Sequence, residues 1–402
     1  MGTGVKRDYV PAADGLRTLC VAGVAIYHYW QQSWLDLSIR VGSYNVTLMP
    51  VIRSGYALVD LLLMLSGFVL FLPYVRAQVE GQALPNTYSF YKRRALRTLP
   101  SYYLSVFIVL FCFAIPLKEY STSAALWKDL IPHLTLTHTF FRESYVHTLL
   151  NGVLWTLGIE LQAYLLFPLL ARVFLKKPVL CYVGLTLIGW GFRLFICRMF
   201  TDLTPWINQL PAFFDVYANG MLAAWCYVHW SPRKRILRIL STLGACAALF
   251  GLWRLLGAQS RNGLPSPGLQ IGQAWLRYPL TMIGAAWLLF TAWGWSWFQR
   301  IFANRFIRFF AGISFQYYIW HQYLAVRLRT TWRFPPYEAL ENPQFAGEQP
   351  WQWQYMLVCI LLSLLVAILF TYGFERPISR IRRRISYDYP GTPASSANHL
   401  SI

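Results

Sequence analysis

The dominant pattern along the chain is a series of long apolar runs separated by short, polar and mostly basic segments. A helix that crosses a bilayer needs about 20 predominantly apolar residues. Runs of that kind predict ten helices, near 11–31, 55–75, 98–116, 152–174, 178–199, 211–230, 236–256, 274–297, 306–330 and 354–373. The expected fold class is all-α: a polytopic membrane protein with about ten transmembrane helices and no soluble domain large enough to fold separately. Two connections are long. Residues 117–151 carry His133, His138 and His147, and 331–352 are rich in Pro, Trp and Glu. Each reads either as a lid or acceptor-binding loop or as a solvated connection. No repeat of the kind found in inverted transporter halves is visible. The chain divides into a transmembrane domain over 8–385 and a polar tail over 386–402, expected to be disordered.

Composition agrees with lipid as the solvent. Of 402 residues 56% are hydrophobic and only 13% charged, with a mean hydropathy of +0.39; a soluble domain carries about a quarter charged residues. A net charge of +20 on a soluble chain would point to nucleic acid. Here the basic residues fall between apolar runs, so the expected partner is the lipid bilayer and nucleic acid is not expected. Segments 6–17, 76–97, 172–177, 233–238, 300–308 and 376–384 hold 23 of the 36 Lys and Arg. With an even number of spans, the positive-inside rule places both termini in the cytoplasm of a multi-pass cell-membrane protein. Seven cysteines lie within apolar runs without CxxC or CxxH spacing, so they read as small buried hydrophobes, and no disulfide framework or metal site is expected. The first apolar run contains Arg17 and His28 and no small-residue cleavage pattern, so it does not read as a signal peptide.

Ionisable groups inside spans are costly enough that each is a candidate for function. Arg17 and His28 share DGLRTLCVAGVAIYH (14–28). Eleven residues make three helical turns, so both project from one face, roughly 16 Å apart. That puts Arg17 at the cytoplasmic boundary and His28 near the middle of the bilayer, a path from a phosphate-binding entrance to a buried base. Burial keeps an imidazole neutral, as a base must be. The plainer readings are a snorkelling anchor and an interhelical hydrogen bond. In FYKRRALRTLP (90–100), Arg94 and Arg97 are i,i+3 neighbours just before a span. Their planar forks suit the phosphate oxygens of a nucleotide-type donor; ordinary inside-facing charge is the alternative.

Glu160 lies in WTLGIELQAY (155–164), with Tyr164 one turn on. A buried carboxylate needs a partner, and an imidazole such as His28 is the expected one; a helix-linking role is the alternative. His321, in ISFQYYIWH (313–321), has Ser314 and Tyr317 on nearly the same face, an arrangement that also serves packing. Asp60 and Asp215 read as structural. No Walker A, GxGxxG, GxSxG or HExxH pattern occurs in its proper context. Ser66 sits mid-span rather than on a strand-to-helix elbow, so a serine triad is not expected.

Taken in order, these motifs resemble the acyltransferase-3 family of integral membrane O-acyltransferases. DGLRTLCVAGVAIYH is similar to its first-helix motif of an Arg, ten residues and a His. VDLLLMLSGF (59–68) is similar to VDLFFVLSGF, and FYKRRALRTLP carries RxxR followed by Pro. WTLGIELQAYLLFP resembles the family's W-S-L-x-x-E segment, and ISFQYYIWH and FERP (374–377) match its last two helices. Departures are mild, among them Thr156 for Ser and Phe315 for Tyr, and none removes a polar candidate.

The resemblance implies that Arg17, Arg94 and Arg97 help hold an acyl-CoA donor, a co-substrate rather than a permanently bound cofactor. It also implies that His28 acts at the acyl group, as a base or a covalent carrier. Glu160 is assigned beside His28, with Asp14, Asp60, Tyr164, Ser314, Tyr317 and His321 in support. The expected function is a membrane O-acyltransferase moving an acyl group, acetyl by preference, from cytoplasmic acyl-CoA to a hydroxyl of a carbohydrate, glycolipid or cell-surface glycan. Some members carry a fused extracytoplasmic esterase-like domain. This sequence stops soon after its last span, which leaves an extracytoplasmic partner protein as an open expectation. A transporter or flippase of a lipid-linked saccharide is the reading from another class, and a sensing module on an inactive scaffold is a third. Acceptor-dependent release of free CoA separates the enzyme from both.

Overall fold

The computed structural model describes residues 10–42, 44–232, 234–261, 268–334 and 349–378. In chain order its elements are α1 (Pro11–Ser33), β1 (Ser38–Val41), β2 (Tyr44–Thr47), α2 (Met49–Arg53), α3 (Leu58–Val79), α4 (Thr87–Val109), α5 (Ser123–Leu134), α6 (Arg142–Tyr145), α7 (Trp155–Lys176), α8 (Pro178–Met199), α9 (Phe214–His229), α10 (Arg235–Ser260), α11 (Gly268–Trp293), α12 (Ser296–Ile301), α13 (Arg305–Thr330) and α14 (Pro350–Phe370). The protein is an all-α polytopic membrane protein. Its ten long helices among the described residues each overlap one of the ten apolar runs. The one departure from all-α among those residues is the small antiparallel hairpin of β1 and β2 after α1.

Six helical stretches among the described residues, those containing α3, α4, α7, α8, α10 and α14, are long and apolar enough to cross a membrane. Of the other long helices, α9 has only 16 residues, and α1, α11 and α13 carry ionisable groups such as Arg17, Arg277 and His321. Helix α3 lies along α9, α1 along α13, α10 along α11, and α13 along α14. Leu187, Phe250 and Leu361 on the outer helices are exposed, as side chains facing lipid must be.

Glycine sets the closest of these packings. A Cβ at Gly67 of α3 would stand 2.7 Å from the Tyr217 carbonyl oxygen of α9, and one at Gly220 would collide with the α3 backbone at Met64. Small residues let membrane helices approach this closely. Gly67 therefore faces α9, and its neighbour Ser66 turns to a different side of α3.

Helix boundaries differ from expectation in two places. Helix α4 begins at Thr87, well before the expected 98, because Asn86 caps it by accepting from the Ser89 amide at 3.1 Å. Its first turns are polar but packed: Tyr91 donates to the Leu165 carbonyl at 2.8 Å, and Arg172 to Thr87 at 2.9 Å. Arg94 and Arg97 thus share one helix, as their i,i+3 spacing predicted, and that helix is α4 itself. Apolar length alone missed these turns. Helix α11 starts at Gly268 and stops at Trp293 rather than running to 297, and α12 follows separately.

The connection over 117–151 is folded. It holds α5 and α6, and the Asp129 carboxylate accepts from Tyr120 (2.8 Å), Thr148 (3.1 Å) and the Leu149 amide (2.9 Å). His133 and His138 stack at 4.5 Å. Burial, with the His133 ring beside it, pushes the His138 imidazole down to about 3, so His138 carries no charge at neutral pH. Residues 8–9, most of the connection expected over 331–352, and the tail 386–402 lie outside the described residues.

Candidate functional site

Helices α1, α3, α4, α7 and α13 surround a cavity. Its walls are apolar at Val21, Leu62, Leu65 and Leu157, and its polar lining includes Ser66, Thr156, Glu160, Ser314 and Tyr318. Arg17, Arg94 and Arg97 line both this cavity and a second that continues past Asp14 and Pro73. The three guanidinium groups therefore stand where the two cavities meet. Arg17 Nη1 lies 3.6 Å from Asp14 Oδ1, its i−3 neighbour. The Arg94 guanidinium carbon lies 5.6 Å from the ring centroid of Tyr164 and 5.8 Å from that of Phe90, within reach of both ring faces. Three cations against the two carboxylates lining these cavities, Asp14 and Glu160, leave an excess of positive charge at the junction, a setting for an anionic ligand.

Glu160 is half-buried, and Ser66 Oγ donates to its Oε1 at 2.8 Å. The expected pairing of Glu160 with His28 does not occur. Glu160 projects from α7 toward α3 and the arginines, whereas His28 sits on the face of α1 that meets α13. Tyr164, one turn along α7, is buried beside it. Ser314 lines the same cavity while its hydroxyl donates to the Ala311 carbonyl at 2.8 Å.

His28 lies in the last two turns of α1. Its Nδ1 stands 2.9 Å from Nε2 of His321 on α13. His321 is fully buried and His28 half-buried. His321 Nδ1 lies 2.6 Å from the Tyr318 carbonyl oxygen. Beside this pair the Tyr29 hydroxyl sits 3.0 Å from that of Tyr317 and 2.8 Å from Ser363 Oγ, tying α1, α13 and α14 together. Ser314, Tyr317 and His321 do share a face, and along it they pass from the cavity to the imidazole pair. Among the described residues no carboxylate bonds either imidazole.

Asp60 joins neither cluster. Its Oδ1 faces Arg277 Nε at 3.3 Å, and Asp215 Oδ1 accepts from Arg193 Nη1 at 2.9 Å, all four residues being buried. Arg277 also lies over the Phe213 ring at 4.0 Å. Sequence reasoning missed Arg193 and Arg277, although a second, opposite charge within apolar runs is the signal that a buried carboxylate has a partner. It also set Ser66 aside and passed over Thr156 and Tyr318. The FERP carboxylate, Glu375, lies 3.2 Å from Gln316 Nε2, which also donates to Ser101 on α4 at 2.7 Å. No group of three His, Cys, Asp or Glu among the described residues is placed to hold a metal ion.

A family model described as an acyltransferase domain matches residues 10–372. The chain belongs to this acyltransferase family. Within it, the chain is 24% identical over 403 residues to the peptidoglycan O-acetyltransferase OatA of Listeria monocytogenes, a match covering 94% of this chain and 57% of that one. It is 26% identical over 261 residues to the acyltransferase MdmB of Streptomyces mycarofaciens, covering 62% of this chain and 60% of that protein. The matches thus span less than two thirds of these relatives' own lengths. No solved structure matches the chain. The acyltransferase domain takes in all the residues of both clusters, from Asp14 to His321.

Proposed function

We propose that this acyltransferase is a membrane O-acyltransferase that takes an acyl group, acetyl by preference, from cytoplasmic acyl-CoA. It delivers the group to a hydroxyl of a carbohydrate or glycolipid on the other side of the membrane. The observation that carries this reading is the convergence of Arg17, Arg94 and Arg97, from two helices, at the mouth of an apolar-walled cavity. Guanidinium forks bind phosphate oxygens in pairs, which suits the nucleotide end of CoA. The pantetheine arm is slender and long enough to follow Val21, Leu62 and Leu157 inward. Glu160, held by Ser66, balances part of the arginine charge when no donor is bound.

His28 is the base in this reading. Its imidazole takes the proton of the acceptor hydroxyl as that oxygen attacks the thioester carbonyl. The new C–O bond forms, the C–S bond breaks, and the departing CoA sulfur takes up the proton from His28. His28 does not line the donor cavity, so the thioester reaches it along the seam of α1 and α13, where Tyr318 lines the cavity and its carbonyl holds His321. The carbohydrate acceptor is supported by the relative named for peptidoglycan O-acetylation. The acceptor is met on the outer face, directly or through a partner protein. The basic segments support a cell-membrane protein with both termini in the cytoplasm. Purified protein given acetyl-CoA should release free CoA only when a carbohydrate acceptor is added. Acceptor movement across vesicles without CoA release would overturn the reading.

A further inference from the structure

The two imidazoles of the α1–α13 seam are not equivalent, and the difference follows from their partners. A backbone carbonyl can only accept, so the 2.6 Å contact of His321 Nδ1 with the Tyr318 oxygen places the His321 proton on Nδ1. A neutral His321 then has only a lone pair on Nε2. That atom is 2.9 Å from His28 Nδ1, so the proton between the rings belongs to His28. The consequence is a chain of one polarity: His28 Nδ1–H to His321 Nε2, and His321 Nδ1–H to Tyr318. His321 ends with both nitrogens committed. His28 ends with a lone pair on Nε2, which has no hydrogen-bond partner among the described residues, on a ring that is half-buried rather than sealed.

We propose that His321 is a positioning residue that holds His28 in the tautomer whose free Nε2 accepts the proton of the acceptor hydroxyl. This rests on the reading of His28 as base. His321 cannot take that role itself without giving up one of its two bonds. It also acts without a formal charge. When His28 gains a proton, its Nδ1–H bond to His321 becomes charge-assisted and strengthens. The rings packed on the pair are Tyr27 and Tyr29 of α1 and Tyr317 and Tyr318 of α13, and the α14 groups Cys359 and Ser363 lie behind them against Tyr29. None is a carboxylate or a cation, so a pH profile of turnover reports the His28–His321 pair without a neighbouring ion.

The test compares His321→Gln, whose amide oxygen can accept from His28 Nδ1–H, with His321→Phe, which keeps a ring and removes the acceptor. In acetyl-CoA turnover the Phe variant should lose kcat on the order of tenfold or more with the donor KM unchanged. Its acid limb should move to lower pH, because protonated His28 has lost its acceptor. Gln should restore most of the rate and the position of the limb. His321→Met, matching the length of Gln with only a weak thioether acceptor, replaces Phe if that variant does not fold. A Phe or Met variant with wild-type kcat and an unmoved limb overturns the assignment. So does a loss in Gln, Phe and Met alike that tracks the folded fraction with no shift of the limb, the signature of packing alone. His28→Gln separates the two readings. If it is active the base itself is wrong, whereas an inactive His28→Gln beside a fully active His321→Phe removes only the role of His321.

Discussion

The Ser66 hydroxyl donates to Glu160 across 2.8 Å, tying α3 to α7 inside the cavity whose mouth carries Arg17, Arg94 and Arg97. The bond holds a carboxylate where it offsets the arginine charge in the absence of donor and opposes the donor phosphates when they arrive. Glu160→Gln keeps an acceptor for Ser66 and removes only the charge. The unliganded variant should melt below wild type, and the rise in Tm on adding CoA should be larger. Thermal melting in detergent with and without CoA measures both, and an equal rise in the two proteins would remove Glu160 from the donor site.

Arg94→Ala with Arg97→Ala should weaken acyl-CoA binding, by about 1.5–3 kcal/mol for each charge-assisted hydrogen bond removed. The Lys pair should rescue only in part, because an ammonium lacks the planar fork and cannot lie against Tyr164 in the same way. Calorimetric titration with CoA measures this. Unchanged affinity in the double Ala variant would count against the cavity as the donor site.

His28→Ala and His28→Gln should both cut acyl transfer by about 10²–10⁴-fold, the range for loss of general-base catalysis. CoA affinity and Tm should stay close to wild type. If His28 served only to hold α1 to α13, Gln would keep the bond and the rate, and Ala would lower the Tm. The two outcomes differ in which variant fails and in which assay.

The buried pair Arg193–Asp215 should behave as a structural unit. Asp215→Leu alone leaves a buried guanidinium without its counter-charge and should cost about 3–5 kcal/mol. Arg193→Met combined with Asp215→Leu should recover much of that loss, because the uncompensated charge is gone. Denaturation of the single and double variants measures the coupling; a double variant as unstable as the single would disprove it.

Orientation is testable at two exposed positions. A cysteine at Gln82, between α3 and α4, should be protected from an impermeant thiol reagent in intact cells, and one at Phe140 should be labelled. The reverse pattern would invert the topology.

The positions of the ten long helices were legible in the sequence because each depends on a local quantity, a stretch of apolar residues long enough to replace water with lipid. The same holds for the RxxR spacing on α4, which follows from helical geometry within one element. Where polar turns extend a helix under cover of a neighbour, as at Thr87–Leu96, apolar length stops being a guide, and the cap at Asn86 and the packing against α7 decide. The partners of the buried polar groups lay beyond the sequence altogether. His28 meets His321 at a separation of 293 residues, Ser66 meets Glu160 at 94, and Asp60 meets Arg277 on another helix. Each buried polar group must find a partner, and that much the sequence determines. Which partner it finds depends on the faces along which the helices dock, set here by close approaches such as Gly67 on Tyr217, and that only the tertiary structure decides.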